Sequence, residues 1–348
     1  MDPVQPYRVV QWATGNIGSR ALRAVVGHPA LALAGLYVLS PDKVGKDAGE
    51  LCGLPATGVV AGNDIDEVLA LDPDCVLYMP LLPDIDEVCR LLESGANVVT
   101  TCGMFHHPGG MDPAVRERVE AACEKGSTSV HSTGSSPGFI SEAVPIVLTS
   151  LQTRINRITI DEFADTSPRD SPAMLFDIMG FGKRPEEFDT ATRAAYLGKS
   201  FGPSLGLMAE ALGTPLDSIE TGGEVAVATH DLQIAAGTVP KGTVAAQRMT
   251  VSGVRDGRTL LEFRANWFLS TDIEPAWDLR LPAGWRIVVD GDSPLDVEIK
   301  FDVPMERMAE TSPNFTANRA VNAVPVVCAA APGIRSTLDL PHIAAALG

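Results

Sequence analysis

The stretch that most constrains the chain lies near its start. Tyr7-Arg8-Val9-Val10-Gln11-Trp12 is a short apolar run, Ala13-Thr14-Gly15-Asn16-Ile17-Gly18 is rich in turn residues, and Ser19 to Val26 has a helical pattern. A strand that passes through glycines into a helix is the opening of a Rossmann-type dinucleotide-binding unit. Gly15 lets the backbone come close to a pyrophosphate, Gly18 lets the helix lie close on the strand, and the first N–H groups of the helix face the phosphates. Thr14, Gly15, Asn16, Ile17 and Gly18 are therefore expected to touch the cofactor. Ala13 stands where the usual fingerprint has its first glycine.

The alternation of strand and helix continues along the first half of the chain. Leu31 to Leu39, Asp74 to Met79, Asn97 to Thr101 and Ser127 to His131 read as strands, with helices at Ile85 to Leu92 and Pro113 to Lys125. Strands that alternate with helices pair in parallel, and ligands collect beyond their carboxyl ends. Those ends are Gly15 to Gly18, Ser40 to Lys46, Met79 to Leu82, Cys102 to His107 and Thr133 to Gly138. An NAD-binding unit commonly places a carboxylate at the end of the second strand to hold the ribose hydroxyls. Here that end carries Ser40, with Lys43 and Lys46 close behind, a set suited to a 2′-phosphate; NADP is the expected cofactor. Asp42 keeps NAD open if it turns inward. Met79, Pro80 and Leu81 are expected to flank the cofactor, with Cys102 and Gly103 at the next strand end. Ser135, Ser136 and Pro137 are expected to meet it where the last parallel strand opens.

After Gly138, a helix from Phe139 to Leu151 leads out of this unit and the pattern changes to longer, β-branched strands. Arg157 to Phe163, Glu224 to Ala235, Val244 to Val254, Thr259 to Leu269, Trp285 to Val289 and Val297 to Asp302 predict a largely antiparallel sheet. The segment Ser171 to Gly182 holds Met174 and Phe176, which suit either an apolar substrate pocket, with Phe139 as a further wall, or core and subunit contacts. Phe315 to Cys328 reads as a buried helix that returns to the first unit, with Asn322 holding either the tail or a carboxamide. The expected layout is a dinucleotide-binding domain over 1–140, a substrate and dimerisation domain of α+β type over 141–310, and a returning segment over 311–348.

With 348 residues, the chain is long enough for two cores. A net charge of −17 argues against nucleic-acid partners and for a small-molecule substrate. No run is long and apolar enough to span a bilayer and the start lacks a signal-peptide pattern, so a cytoplasmic protein is expected. Six scattered cysteines have no metal-ligand or redox-pair spacing; they are read as reduced thiols and no metal is expected.

Trp12 to Gly18, Val44-Gly45-Lys46-Asp47-Ala48-Gly49, Ser136-Pro137-Gly138-Phe139, and Val321-Asn322-Ala323-Val324-Pro325 with Ala331-Pro332-Gly333 occur in the order and spacing of a known group. The chain resembles the 2,4-diaminopentanoate dehydrogenases and native amine dehydrogenases, which have a dihydrodipicolinate-reductase-like first domain. The resemblance implies NAD(P)-dependent interconversion of an amine with a ketone and ammonia, in a homodimer. It also implies a glutamate after the strand that ends Val98-Val99-Thr100-Thr101, yet this chain continues Cys102-Gly103-Met104-Phe105-His106-His107. His106 or His107 can take over proton transfer near neutral pH, or these adjacent histidines are simply exposed. Glu162 and Asp165 are the alternative carboxylates, Glu162 being equally readable as an ordinary strand-face charge.

Overall fold

The computed structural model describes residues 5–346. Its chain divides into two compact units, one running to Phe139 and resuming at Ser312, the other Ile140–Thr311. In the first unit, strand β1 (Tyr7–Trp12) leads into helix α1 (Asn16–Gly27), then β2 (Leu31–Tyr37), the short α2 (Ala48–Cys52), β3 (Ala61–Gly62) and α3 (Ile65–Ala70). β4 (Cys75–Tyr78), α4 (Ile85–Glu93), β5 (Asn97–Thr100), α5 (Pro113–Gly126) and β6 (Ser129–Ser132) continue the alternation. Asp64, Asp84 and Asp112 each cap the next helix by accepting from its first N–H groups, which sets the points where chain turns into helix.

The expected connecting helix starts irregularly. Ser135–Ala143 is a widened helical turn broken by non-helical backbone at Ser136, Pro137 and Gly138, and only Val144–Thr149 (α6) is regular α-helix. The second unit then builds β7 (Ile155–Asp165), α7 (Thr190–Ala211), β8 (Ser218–Ala228), β9 (Leu232–Ile234), β10 (Gly237–Val239), β11 (Val244–Arg255), β12 (Arg258–Phe268), β13 (Ile273–Glu274), β14 (Ala283–Gly291) and β15 (Leu295–Lys300). Its main sheet has the order β13-β8-β11-β12-β7-β14-β15. Every pair is antiparallel except β7 with β12, so the sheet is mixed. The single long strand expected over Glu224 to Ala235 is corrected: β8 stops at Ala228, and Leu232 onward turns back on itself as the β9–β10 hairpin.

α7 has no counterpart in the sequence pattern because Gly198, Gly202 and Pro203 interrupt it. Those glycines let it lie on β8: a Cβ at Gly198 would stand 2.6 Å from Thr221 Cγ2. Phe201 of α7 stacks on Phe263 of β12 with ring centres 3.8 Å apart, fixing the core of this unit.

The chain ends in α8 (Met305–Cys328) and β16 (Gly333–Arg335). α8 begins before the expected Phe315, and its later turns bury Ala317, Ala320, Val321, Val324 and Val327 against Val9, Val25, Leu77 and Val99 of the first unit. β16 pairs in parallel with β6, giving a seven-stranded sheet of order β16-β6-β5-β4-β1-β2-β3. The direction of strand succession reverses between β4 and β1, the place where open α/β sheets bind ligands. Stacked beside that point, Trp12 packs on Tyr37 with ring centres 3.6 Å apart and on Tyr78 at 5.5 Å. No helix among the described residues is long and apolar enough to cross a membrane, and none of their side chains form a cluster of three or more His, Cys, Asp or Glu able to hold a metal.

Candidate active site

The glycine turn joins β1 to α1. Gly15 is the N-cap of α1 and offers no side-chain cap, and the first turn carries no acidic residue, so the helix start presents its N–H groups to an anion. A Cβ built at Gly15 meets no protein atom within 4 Å, leaving the room a phosphate requires, whereas one at Gly18 would stand 2.2 Å from the Ala13 carbonyl oxygen. Ala13 itself has φ +73°, a left-handed conformation that costs an L-residue roughly 1 kcal/mol where glycine pays nothing. The turn thus keeps the shape of the usual fingerprint despite its alanine, and it fits a dinucleotide.

At the end of β2, the Lys43 ammonium donates to the Thr14 hydroxyl at 3.0 Å and to the Thr14 carbonyl at 3.1 Å. That places a cation beside the phosphate turn. Ser40, Asp42 and Lys46 are exposed around it. The backbone after Lys46 is tied down by Asp47, whose carboxylate accepts from the N–H groups of Gly49, Thr57 and Gly58.

The other half of the site lies at the ends of β4, β5 and β6. Met79 is buried, Pro80 half-buried, and Leu81 and Leu82 stand 89% and 79% exposed, an apolar lip of the kind a flat ring covers. Cys102 lies with its thiol 3.8 Å from the Pro80 carbonyl, and burial pushes that thiol above its ordinary range, which disfavours the thiolate. Gly103 opens the short turn Gly103–Phe105, and no carboxylate stands between Thr101 and His107. The two histidines part company. His106 is 1% exposed, against the reading that both are surface residues, and it points at the Ser136-Pro137-Gly138 turn: a Cβ at Gly138 would lie 3.4 Å from its Cε1 and 3.1 Å from Thr133 Oγ1. His107 folds back over its own loop, its Nδ1 2.7 Å from where a Cβ on Gly110 would be.

Ser135 exchanges a hydrogen bond of 2.7 Å with Thr316 of α8, while the Ser136 hydroxyl is buried without a partner, a polar atom left for a ligand beside the cis peptide to Pro137. Phe139 lies half-buried next to them, and the Arg319 guanidinium stands 5.8 Å from its ring. Arg319 also donates to Thr133 Oγ1 at 3.4 Å and to the Ile343 carbonyl at 3.3 Å. Asn322, one turn further along α8, is half-buried. Sequence reasoning passed over Arg319 and Thr133, although Arg319 is the one charged residue between Thr311 and Ile334, itself a signal.

The remaining candidates belong to the second unit. Glu162 accepts from the indole N–H of Trp285 at 3.0 Å across the β7–β14 ladder. Asp165 caps the turn after β7 by accepting from Ser167 N–H. Met174 and Phe176 are half-buried, Met174 with its sulfur 3.6 Å from Arg169, Phe176 beside Gly182 and Gly237, while Leu175 between them fills the core. Glu142, not foreseen, is wholly buried and accepts from the Ser204 hydroxyl, which in turn accepts from Ser141. It too is the one charge in an apolar helical run.

Residues 139–348 match the 2,4-diaminopentanoate dehydrogenase C-terminal domain. An amine dehydrogenase of Streptomyces virginiae is 31% identical over 344 residues, 95% of each chain. The chain belongs to the 2,4-diaminopentanoate dehydrogenase family. Within that family, the 2,4-diaminopentanoate dehydrogenase of Acetoanaerobium sticklandii is 25% identical over 268 residues, covering 76% of this chain and 71% of its own. The fold is that of an amine dehydrogenase from Mycobacterium smegmatis, which superimposes with a TM-score of 0.74 over 99% of this chain and 98% of its own at 21% identity. The protein is an NAD(P)-dependent oxidoreductase of the amine dehydrogenase type. A bound nicotinamide group would supply or accept a hydride at its C4, and the residues at the strand ends are those that would orient it and exclude water.

Proposed function

We propose that the protein uses NADPH to reduce the iminium formed from ammonia and a small, fairly apolar ketone or aldehyde, and runs the reverse amine oxidation, with His106 moving the proton. The observation that carries the proton role is the buried imidazole of His106 beside Gly138, at the strand ends where the nicotinamide half of the cofactor belongs. An imidazole can both accept and donate a proton, the task that the resemblance assigns to a carboxylate. The preference for NADP rests on Lys43, whose ammonium is held at Thr14 and adds a charge-assisted contact to a 2′-phosphate. Phe139, Met174 and Phe176 are the proposed apolar lining for the substrate.

One observation favours a second reading. With Gly103 where a glutamate is expected, the end of β5 lacks the anion that would hold an ammonium group. Direct, ammonia-independent reduction of a carbonyl, with His106 donating the proton to the alkoxide, is then the alternative. The setting we infer is cytoplasmic, supported by six free thiols, and the assembly a homodimer, as the resemblance implies; size-exclusion chromatography with light scattering checks the assembly.

Fluorescence titration with NADPH and NADH, followed in the same cuvette by carbonyl substrates with and without ammonium, tests both readings. Tighter binding of NADPH, lost by about tenfold in Lys43→Ala with NADH little changed, and ammonium-dependent oxidation are expected. Ammonium-independent oxidation selects the second reading. Binding of neither nucleotide overturns both.

A further inference from the structure

Beneath the phosphate turn lies a side chain that cofactor chemistry alone does not call for. Gln11 of β1 is fully buried, and its Nε2 donates to the Ala13 carbonyl at 2.9 Å and to the Trp12 carbonyl at 3.2 Å, while its Oε1 is buried with no partner. The amide has one sensible orientation, because turning it over would set Oε1 against two carbonyl oxygens. A buried acceptor left unsatisfied costs stability, so an apolar side chain would suit this position better unless the N–H is needed.

The N–H goes to the one residue of the turn that is an L-amino acid in the left-handed region. Ala13 at φ +73° takes the place of a glycine that would adopt this conformation freely. Its carbonyl is closed in from the other side by α1, where a Cβ on Gly18 would stand 2.2 Å from the oxygen and 3.1 Å from Gln11 Nε2. Its N–H is fixed to the Tyr37 carbonyl at 2.8 Å. Both ends of the residue are held, and Gln11 holds the end that leads into Thr14 and Gly15.

We propose that Gln11 is a positioning residue for the dinucleotide: its amide N–H keeps Ala13 left-handed and so keeps the Thr14–Gly15 backbone on the path that receives the pyrophosphate. The proposal rests on reading the turn as the nicotinamide dinucleotide site. It predicts that Gln11 becomes dispensable once residue 13 is glycine.

The test compares cofactor binding, by fluorescence titration with NADPH, in the wild type, Gln11→Met, and Gln11→Met with Ala13→Gly, with circular dichroism confirming that each is folded. Gln11→Met, unbranched and of similar volume, is expected to bind about tenfold more weakly, and the double variant to return to within about threefold of the wild type. Loss of core packing alone would not be reversed by removing a methyl group from the turn. Binding unchanged in Gln11→Met overturns the proposal, as does a double variant no better than the single. If Gln11→Met does not fold, Gln11→Asn, which withdraws the amide by one methylene, is compared in the same way. A wild type that binds neither NADPH nor NADH would mark failure of the cofactor reading itself rather than of the role given to Gln11.

Discussion

His106 and His107 are neighbours in sequence, and the fold treats them as different residues. One ring is buried beside Gly138, the other lies over Gly110. Replacing His106 with Gln, which keeps polarity and loses proton transfer, is expected to lower kcat by about 100-fold or more while leaving the NADPH dissociation constant within about threefold; steady-state kinetics beside the titration checks the split. The histidine pair was legible in the sequence because it stands just past a strand end. Which member faces inward was not, because that depends on the turn Gly103–Phe105, whose geometry no periodicity reports. Arg319 and Glu142 each stand out in the sequence as a lone charge in an apolar helix, but their roles were not legible there, because partners such as Thr133 and Ser204 are supplied by elements distant in sequence.

Elements that rest on local pattern were the readable ones. β1, β4 and β5 are short apolar runs bounded by turn residues, and each lies within a residue or so of where that pattern places it. α7 was hidden by its own glycines, whose role is a close approach to β8 that only the assembled sheet reveals. β16 spans three residues, too few to show any period. α2 is short as well, and it owes its position to Asp47. Hydrogen bonds from the backbone of Thr57, Gly49 and Gly58 hold that carboxyl below its ordinary value of 3.8. A lowered carboxyl contributes stability that is present above its unfolded pKa and lost as pH falls through the folded one. Asp47→Asn is therefore expected to lower Tm at pH 7, with the gap to the wild type closing below about pH 4; differential scanning calorimetry over that range measures it.

At the scale of the molecule, the second unit is continuous in sequence and the nucleotide unit is not. Ending the chain after Thr311 removes most of α8 and all of β16, uncovering Val9, Leu77 and Val99 on one face of the parallel sheet and leaving β6 an open edge. The expected result is loss of NADPH binding and of protection from amide exchange in β1, β4, β5 and β6, with protection retained in β11 and β12. Hydrogen exchange read by mass spectrometry separates the two units, and equal loss in both would contradict it. The same arrangement bears on how the protein is made. On the ribosome, the second unit has all of its strands before the nucleotide sheet has its seventh, so the glycine turn waits through the synthesis of that whole unit before the sheet that supports it is complete.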